Sequence, residues 1–125
     1  MTIISYAKVA HTCLEAAHKL EEEGISAEVI DLRSLKPLDE TAILQSARKT
    51  GRVIVVHEAS RMCGMGAEVA AIVAEKAFAA LKAPVVRLTG PNAPAPASYP
   101  LEQAFVPQAD VEVAAAKRLV GSKVV

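Results

Sequence analysis

The chain has 125 residues, of which 52% are hydrophobic and 3% aromatic, and its 14 basic residues are balanced by 14 acidic ones. This length suits one domain with its own core, so we predict a single domain over residues 1–125. A neutral balance with few aromatic rings argues against nucleic-acid or membrane-surface partners. There is no apolar run of ~18 residues, no pattern of a secretory signal and no disulfide framework, which favours a cytoplasmic protein.

Apolar segments alternate between strand-like and helix-like patterns along the chain. Strands are predicted at 2–6, 26–32 and 52–56 and in the segment PVVRL, and helices at 8–23, 39–50, about 66–81 and about 109–120. Gly24 and Gly51 are expected to end the first two helices, and Asp39 to cap the second. The proline-rich segment TGPNAPAPASYP is predicted to be non-helical, with a short turn at 101–105. This alternation predicts an α/β fold with a mostly parallel sheet covered on both faces.

Two glycines after the third strand raise the question of a phosphate-binding turn. Gly64 and Gly66 follow a strand and begin a helix, as in dinucleotide-binding folds. However, Val69 replaces the third glycine of that pattern, and the next strand ends in Leu88-Thr89-Gly90, without an acidic residue to bind a ribose. The pattern therefore favours a tight turn with close helix-to-sheet packing, and no cofactor is assigned to this chain.

His57 and Cys63 lie near the end of the third strand, where open α/β sheets place their chemistry, and could form a base and a nucleophile. Glu58 would point to the opposite face of the strand from His57, so no third group orients the base. Met62 and Met65 give Cys63 apolar neighbours, which do not activate a thiol. We predict an ordinary strand-to-helix turn and assign no catalytic residue.

One face of the first helix carries a candidate set of metal ligands. Spaced at helical intervals, these residues are His11, Glu15, His18 and Glu22. The opposite face carries the apolar stripe Val9, Cys13, Ala16 and Leu20. We therefore predict that the His/Glu face is solvated, that Cys13 is buried as a small apolar residue, and that there is no metal site.

Arg87 is an unusual residue for a strand of a buried sheet. It could pair with Asp31 or Glu58, or it could face a partner subunit. The sequence leaves these alternatives open.

Three segments carry a resemblance to a known family: GISAEVIDLRSLKPLD, GRVIVVHEA and GMGAEVAA. Over nearly its whole length the chain resembles the C-terminal domain of the β subunit of thiamine-diphosphate-dependent 2-oxoacid dehydrogenase E1 components, in the transketolase superfamily. Pyruvate, branched-chain and acetoin dehydrogenases belong to this group. The resemblance implies a three-layer α/β/α fold with a mixed, mostly parallel five-stranded sheet and one antiparallel edge strand. The fifth strand would lie within or after the proline-rich segment.

The same resemblance implies a role in a multienzyme complex. Parent enzymes bind thiamine diphosphate and magnesium, decarboxylate a 2-oxo acid and pass the acyl group to E2. This chain lacks the Gly-Asp-Gly motif for that cofactor, so we expect a non-catalytic assembly domain. Its implied partners are the E1 β dimer mate, the E1 α subunit and the subunit-binding domain of E2. The alternative is a free-standing small-molecule-binding or regulatory domain that reuses the fold.

The apolar composition and the resemblance together predict a self-complementary dimer interface. We expect the third strand-to-helix turn, the fourth strand and the loop after it to supply Met62, Cys63, Met65, Val85, Arg87, Leu88, Asn92 and Tyr99. Docking of E2 is implied at Lys82, Val124 and Val125. The family often has glycine where Ala7 and Cys63 stand and an aromatic residue where Met65 stands, so this chain departs from the family pattern at two strand-to-helix turns.

Overall fold

Four strands form the central layer of the structure, a computed structural model in which residues 1–121 are described. They are β1 (Thr2–Ser5), β2 (Glu28–Asp31), β3 (Val53–Ser60) and β4 (Val86–Gly90). Their order in the sheet is β2-β1-β3-β4, and every pair is parallel. The predicted fold class is therefore confirmed.

The strand count differs from the implied five. Within residues 1–121 the sheet has four strands and no antiparallel edge strand. The proline-rich segment after β4 forms a loop and a short helix instead of a strand. Proline lacks the backbone donor that a strand needs, so this segment is poorly suited to extend the sheet.

Five α-helices lie within residues 1–121. They are α1 (Val9–Glu22), α2 (Glu40–Thr50), α3 (Met65–Ala77), α4 (Tyr99–Phe105) and α5 (Ala109–Gly121). Four of them cover the two faces of the sheet, and the short α4 lies outside both core clusters. One core cluster joins α1 and α5 to alternate strand residues such as Ile3 and Ile54. The other joins α2 and α3 to the intervening strand residues, which point to the opposite face of the sheet, such as Ile4 and Val55. This alternation of side chains across the strands produces the three-layer arrangement.

The ends of the first two helices follow from local chemistry. The side chain of Asp39 accepts a hydrogen bond of 2.9 Å from the backbone N–H of Ala42 at the start of α2. Gly51 ends α2 with a left-handed φ of +70°, and Gly24 follows α1 with a φ of +78°. The predicted roles of Asp39, Gly51 and Gly24 are therefore confirmed. Glycine suits the two helix ends because it adopts such angles without the steric penalty of a Cβ atom.

The predicted bounds of β1, β2, α1 and β4 differ from the observed ones by one or two residues, and β3, α3 and α4 show the differences that have a clear local cause. β3 extends to Ser60, because its last residues continue to pair with β4 across a register shift between His57 and Ser60. α3 ends at Ala77 and is followed by a 3₁₀ turn at Phe78–Ala80. α4 begins at Tyr99, inside the segment predicted to be non-helical, because a proline in the first turn of a helix replaces an N–H that would be unpaired there anyway.

Non-glycine residues with left-handed backbone angles follow three of the strands. Ala7, Arg33 and Cys63 have φ values of +56°, +53° and +57°, and they lie after β1, β2 and β3 respectively. A Cβ atom in this conformation costs roughly 1–2 kcal/mol. The glycines that the family resemblance places at positions 7 and 63 would avoid this cost.

We expect Ala7→Gly to raise the free energy of unfolding by about 0.5–1 kcal/mol, because relief of the left-handed strain outweighs the greater chain entropy of glycine in the unfolded state. Urea denaturation would measure the change. Ala74→Gly, at an exposed position inside α3, is the matched control and should lower the free energy of unfolding by about 1 kcal/mol. Similar destabilisation by both substitutions would show that position 7 is not strained.

Candidate functional site at the carboxyl edge of the sheet

The sheet has a topological switch point between β1 and β3. From β1 the chain crosses to β2 on one side of the sheet, whereas β3 and then β4 extend it on the other side. Open α/β sheets usually bind ligands in the crevice at the carboxyl ends of two such strands. In this chain the crevice lies between Tyr6, just after β1, and His57 in β3.

The rings of His57 and Tyr6 are stacked at this switch point. The His57 side chain is 0% exposed, and its ring centroid lies 5.8 Å from that of Tyr6, with an interplanar angle of 19°. A Cβ atom on Gly64 would overlap the carbonyl oxygen of Ser60 and lie 2.7 Å from His57 Cε1. A Cβ atom on Gly66 would overlap His57 Nε2 and lie 2.5 Å from Cδ2. The two glycines therefore make room for a buried imidazole of the same chain, which explains the close packing predicted for this turn.

The surroundings of His57 favour its neutral form. Neither ring nitrogen has a hydrogen-bond partner among the described residues. Burial lowers the pKa of His57, a backbone contact with Ala59 that falls short of hydrogen-bond geometry partly opposes this, and the positive charge of Arg87 lowers the pKa further. Below the ordinary histidine pKa the unfolded chain then binds more protons than the folded one. The contribution of His57 to the free energy of unfolding therefore decreases as the pH falls from neutral through that range.

A base and nucleophile pair is not assembled in the turn. Cys63 and Met62 are exposed, so the methionines do not enclose the thiol as the sequence indicated. His57 makes no hydrogen bond to Cys63, because both of its ring nitrogens lack partners. Glu58 lines a cleft with Ser60 and Phe105, away from the His57 ring. The absence of catalytic residues stays a prediction.

A second buried ionisable group was not foreseen from the sequence. Glu112 in α5 is 1% exposed, and Thr12 donates a hydrogen bond of 2.9 Å to its Oε1 atom. Burial raises the pKa of this carboxyl group and also that of the neighbouring Cys13 thiol. Ala109, Glu112, Val113 and Ala116 are all buried at helical spacing, and that spacing was the available signal.

Arg87 is paired with neither Asp31 nor Glu58. Its guanidinium Nη1 donates to the backbone oxygen of Arg61 at 3.3 Å, and Arg61 Nη1 donates to the backbone oxygen of Arg87 at 3.1 Å. Neither arginine forms an ion pair within residues 1–121. The two side chains thus hold the turn after β3 against β4, while their charges stay unneutralised by the described chain.

The predicted interface residues lie on or near this part of the molecule with different exposures. Met62 and Tyr99 are 70% and 71% exposed. Cys63 and Asn92 are also exposed, and the half-buried members of the set are Met65, Val85, Arg87 and Leu88. Val85 and Leu88 contact the core clusters on opposite faces of the sheet. Whether this set forms an interface stays a prediction.

The residues predicted to dock E2 lie elsewhere. Lys82 is exposed at the opposite edge of the sheet, near the amino ends of β3 and β4. Its backbone N–H donates a hydrogen bond of 2.7 Å to the backbone oxygen of Gly51. Val124 and Val125 lie outside the described residues.

The candidate metal ligands of α1 face solvent. All four are exposed: His11, Glu15, His18 and Glu22. Glu15 forms an ion pair of 2.9 Å with Lys19 one turn later. In the described chain no three His, Cys, Asp or Glu side chains meet in a group that could hold a metal. Cys13, on the other face, is buried, so both faces of α1 are as predicted.

Within residues 1–121, no helix combines the length and the apolar content that a membrane span requires.

We expect Gly66→Ala to lower the free energy of unfolding by about 1–3 kcal/mol, because the new methyl group overlaps a ring that has no room to move. Chemical denaturation of this variant, of His57→Ala and of the double variant tests the contact. In the His57→Ala background the loss should largely disappear, whereas an equal loss in both backgrounds would contradict it. Gly121→Ala is the control and should not lower the free energy of unfolding, since nothing lies within 4 Å of the added atom and alanine favours the helix.

Comparisons with known proteins define the family. A model described as the transketolase C-terminal domain matches residues 1–111. The acetoin:2,6-dichlorophenolindophenol oxidoreductase subunit beta of Bacillus subtilis (strain 168) is 45% identical, over 97% of this chain and 35% of that protein. The mitochondrial pyruvate dehydrogenase E1 component subunit beta-2 of Oryza sativa subsp. japonica is 47% identical, over 94% of this chain and 31% of that protein.

A solved structure agrees with these sequence matches. A chain described as "Split gene transketolase, inactive beta4 tetramer" is similar with a TM-score of 0.84 and 34% identity, over 98% of this chain and 40% of that chain. The chain spans about a third of the length of the curated relatives it matches. The resemblance read from the sequence is confirmed, and the chain belongs to the transketolase C-terminal domain family.

Proposed function

We propose that this chain is a non-catalytic assembly domain of an E1 β subunit of a 2-oxoacid or acetoin dehydrogenase. The observation that carries the proposal is its similarity, over nearly its whole length, to β subunits about three times as long. In such a subunit this domain would associate with neighbouring subunits, while the reaction takes place elsewhere in the enzyme.

The carboxyl edge of the sheet supports a role without cofactor chemistry in this domain. The family resemblance assigns thiamine diphosphate and magnesium to the parent enzyme. The residues described here do not fit that group, because Tyr6 and His57 fill the switch point and Gly64 and Gly66 are in contact with the ring. A diphosphate would need these glycine N–H groups and an open crevice. We therefore assign cofactor binding, and the oxidative decarboxylation, to the rest of the parent enzyme.

Exposed apolar side chains support a partner surface near the same edge. Met62, Tyr99 and Leu101 are large apolar residues that remain exposed in the single chain. We assign this surface to the E1 β dimer mate, with the E1 α subunit as a further neighbour. Lys82 lies at the opposite edge of the sheet, so an E2 subunit-binding domain that docks there would leave the dimer surface free.

The second candidate is a free-standing domain that binds a small molecule. An open cleft of about 720 Å³ beside α4 favours it. The coding sequence discriminates between the candidates. A pyrimidine-binding domain in frame before residue 1 supports an E1 β subunit, and a start codon without one supports the free-standing domain.

The assembly role predicts weak self-association of the 125-residue chain. Analytical ultracentrifugation over a concentration series should show a monomer–dimer equilibrium, weak because the rest of the E1 interface is missing. Arg87→Glu should shift the equilibrium toward monomer, since it reverses a charge beside the proposed contact.

Lys82→Glu is the matched control, because it makes the same change of charge at the opposite edge and should leave dimerisation unchanged. A wild-type chain that remains monomeric at the highest concentration would overturn self-association of this chain. Equal dimerisation by wild type and Arg87→Glu would remove β4 from the interface.

A further inference from the structure

The cleft beside α4 has mostly apolar walls and one charged residue. It lies between the end of β4 and the segment 103–108, with apolar surface from Leu88, Phe105 and Val111. Phe105 is fixed against β4, since a Cβ atom on Gly90 would lie 2.9 Å from its Cε1 atom. Among the described residues that line the cleft, Arg61 alone is charged.

The position of Arg61 is fixed by its reciprocal contact with Arg87. Each guanidinium donates to the backbone oxygen of the other residue, at 3.1 and 3.3 Å. The two side chains therefore lie side by side, antiparallel, between the turn after β3 and β4. A guanidinium has five N–H donors, and the Arg87 carbonyl uses one of those of Arg61. No ion pair of residues 1–121 includes Arg61, so its charge is available to an anion in the cleft.

Two neutral side chains of the cleft take part in internal contacts. Asn92 Oδ1 accepts a hydrogen bond of 3.0 Å from the Met62 backbone. Gln108 Nε2 donates to the backbone oxygens of Gln103 and Val106, at 3.0 and 2.8 Å. These contacts shape the rim, and Arg61 supplies its charged donor.

The nearest clustered carboxylates belong to a different cleft. Glu58 and Glu102 line the neighbouring space of about 460 Å³, which shares the walls of Phe105 and Val106 with the first cleft. The two clefts therefore differ in charge: the larger carries a cation, and the smaller carries two acidic residues.

We propose that the larger cleft binds a small carboxylate with an apolar body. The carboxylate pairs with the guanidinium of Arg61, whose planar fork matches two carboxylate oxygens, and the body packs on Phe105 and Val111. Arg87 is a positioning residue that holds Arg61 at the rim. Leu88 and Asn92 line the cleft and also belong to the predicted interface, so the binding is proposed for the dissociated 125-residue chain.

Titration of the ¹⁵N-labelled 125-residue chain with hexanoate, followed by amide chemical shifts, tests the proposal. Hexanoate should saturate shifts at 88–92 and 105–108 with a dissociation constant on the order of millimolar, as is typical of so small a ligand. Acetate should bind more weakly, because it lacks the apolar body. Hexylamine, which has the same body and the opposite charge, should not bind there.

Arg61→Gln should weaken hexanoate binding about tenfold or more, because it removes the charged partner of the carboxylate. Arg118→Gln, an equal loss of charge in the last turn of α5, is the matched control and should not change it. Val111→Glu keeps both arginines, places a negative charge at the rim and should also weaken binding, which provides a test if Arg61→Gln fails to fold.

The proposal is overturned if hexanoate does not saturate the shifts, if hexylamine binds equally well, or if folded Arg61→Gln or Val111→Glu binds as tightly as wild type.

Discussion

The buried imidazole of His57 is the constraint on which the carboxyl edge of this domain depends. A fully enclosed ring at the β1–β3 switch point requires Tyr6 on one side and two residues without Cβ atoms in the following turn. The turn must therefore be Gly-x-Gly, and helix α3 can approach the sheet closely. A crevice that would admit a ligand in many α/β folds is thus filled by side chains of the same chain.

The filled switch point gives the family match a structural meaning. With its usual ligand crevice closed, the described chain presents two other features at this edge, an exposed apolar surface around Met62 and Tyr99 and a cleft with the single cation Arg61. The first supports the proposed contact with neighbouring subunits, and the second supports binding of a small carboxylate. The cleft depends on the contact between Arg61 and Arg87, which ties the turn after β3 to β4.

Repeating patterns in the sequence predicted the layers of the fold, whereas individual polar residues were harder to place. The stripe of Val9, Cys13, Ala16 and Leu20 identified the buried face of α1, and Asp39 and Gly51 marked the ends of α2. The burial of His57 and Glu112 was missed because each is a polar residue in an apolar setting, and its enclosure depends on residues distant in sequence. The Arg61–Arg87 contact was missed for the same reason, since its partners are 26 positions apart.

The accessibility of His57 to a chemical reagent tests the central claim most directly. Diethyl pyrocarbonate modifies exposed neutral imidazoles, and the chain has three histidines, of which His11 and His18 are exposed. Mass spectrometry of the native chain after brief treatment near pH 7 should find modified His11 and His18 and unmodified His57, with His57 reacting only after denaturation. Modification of native His57 at a rate similar to that of the other two would show that the switch point is open, and would contradict the account.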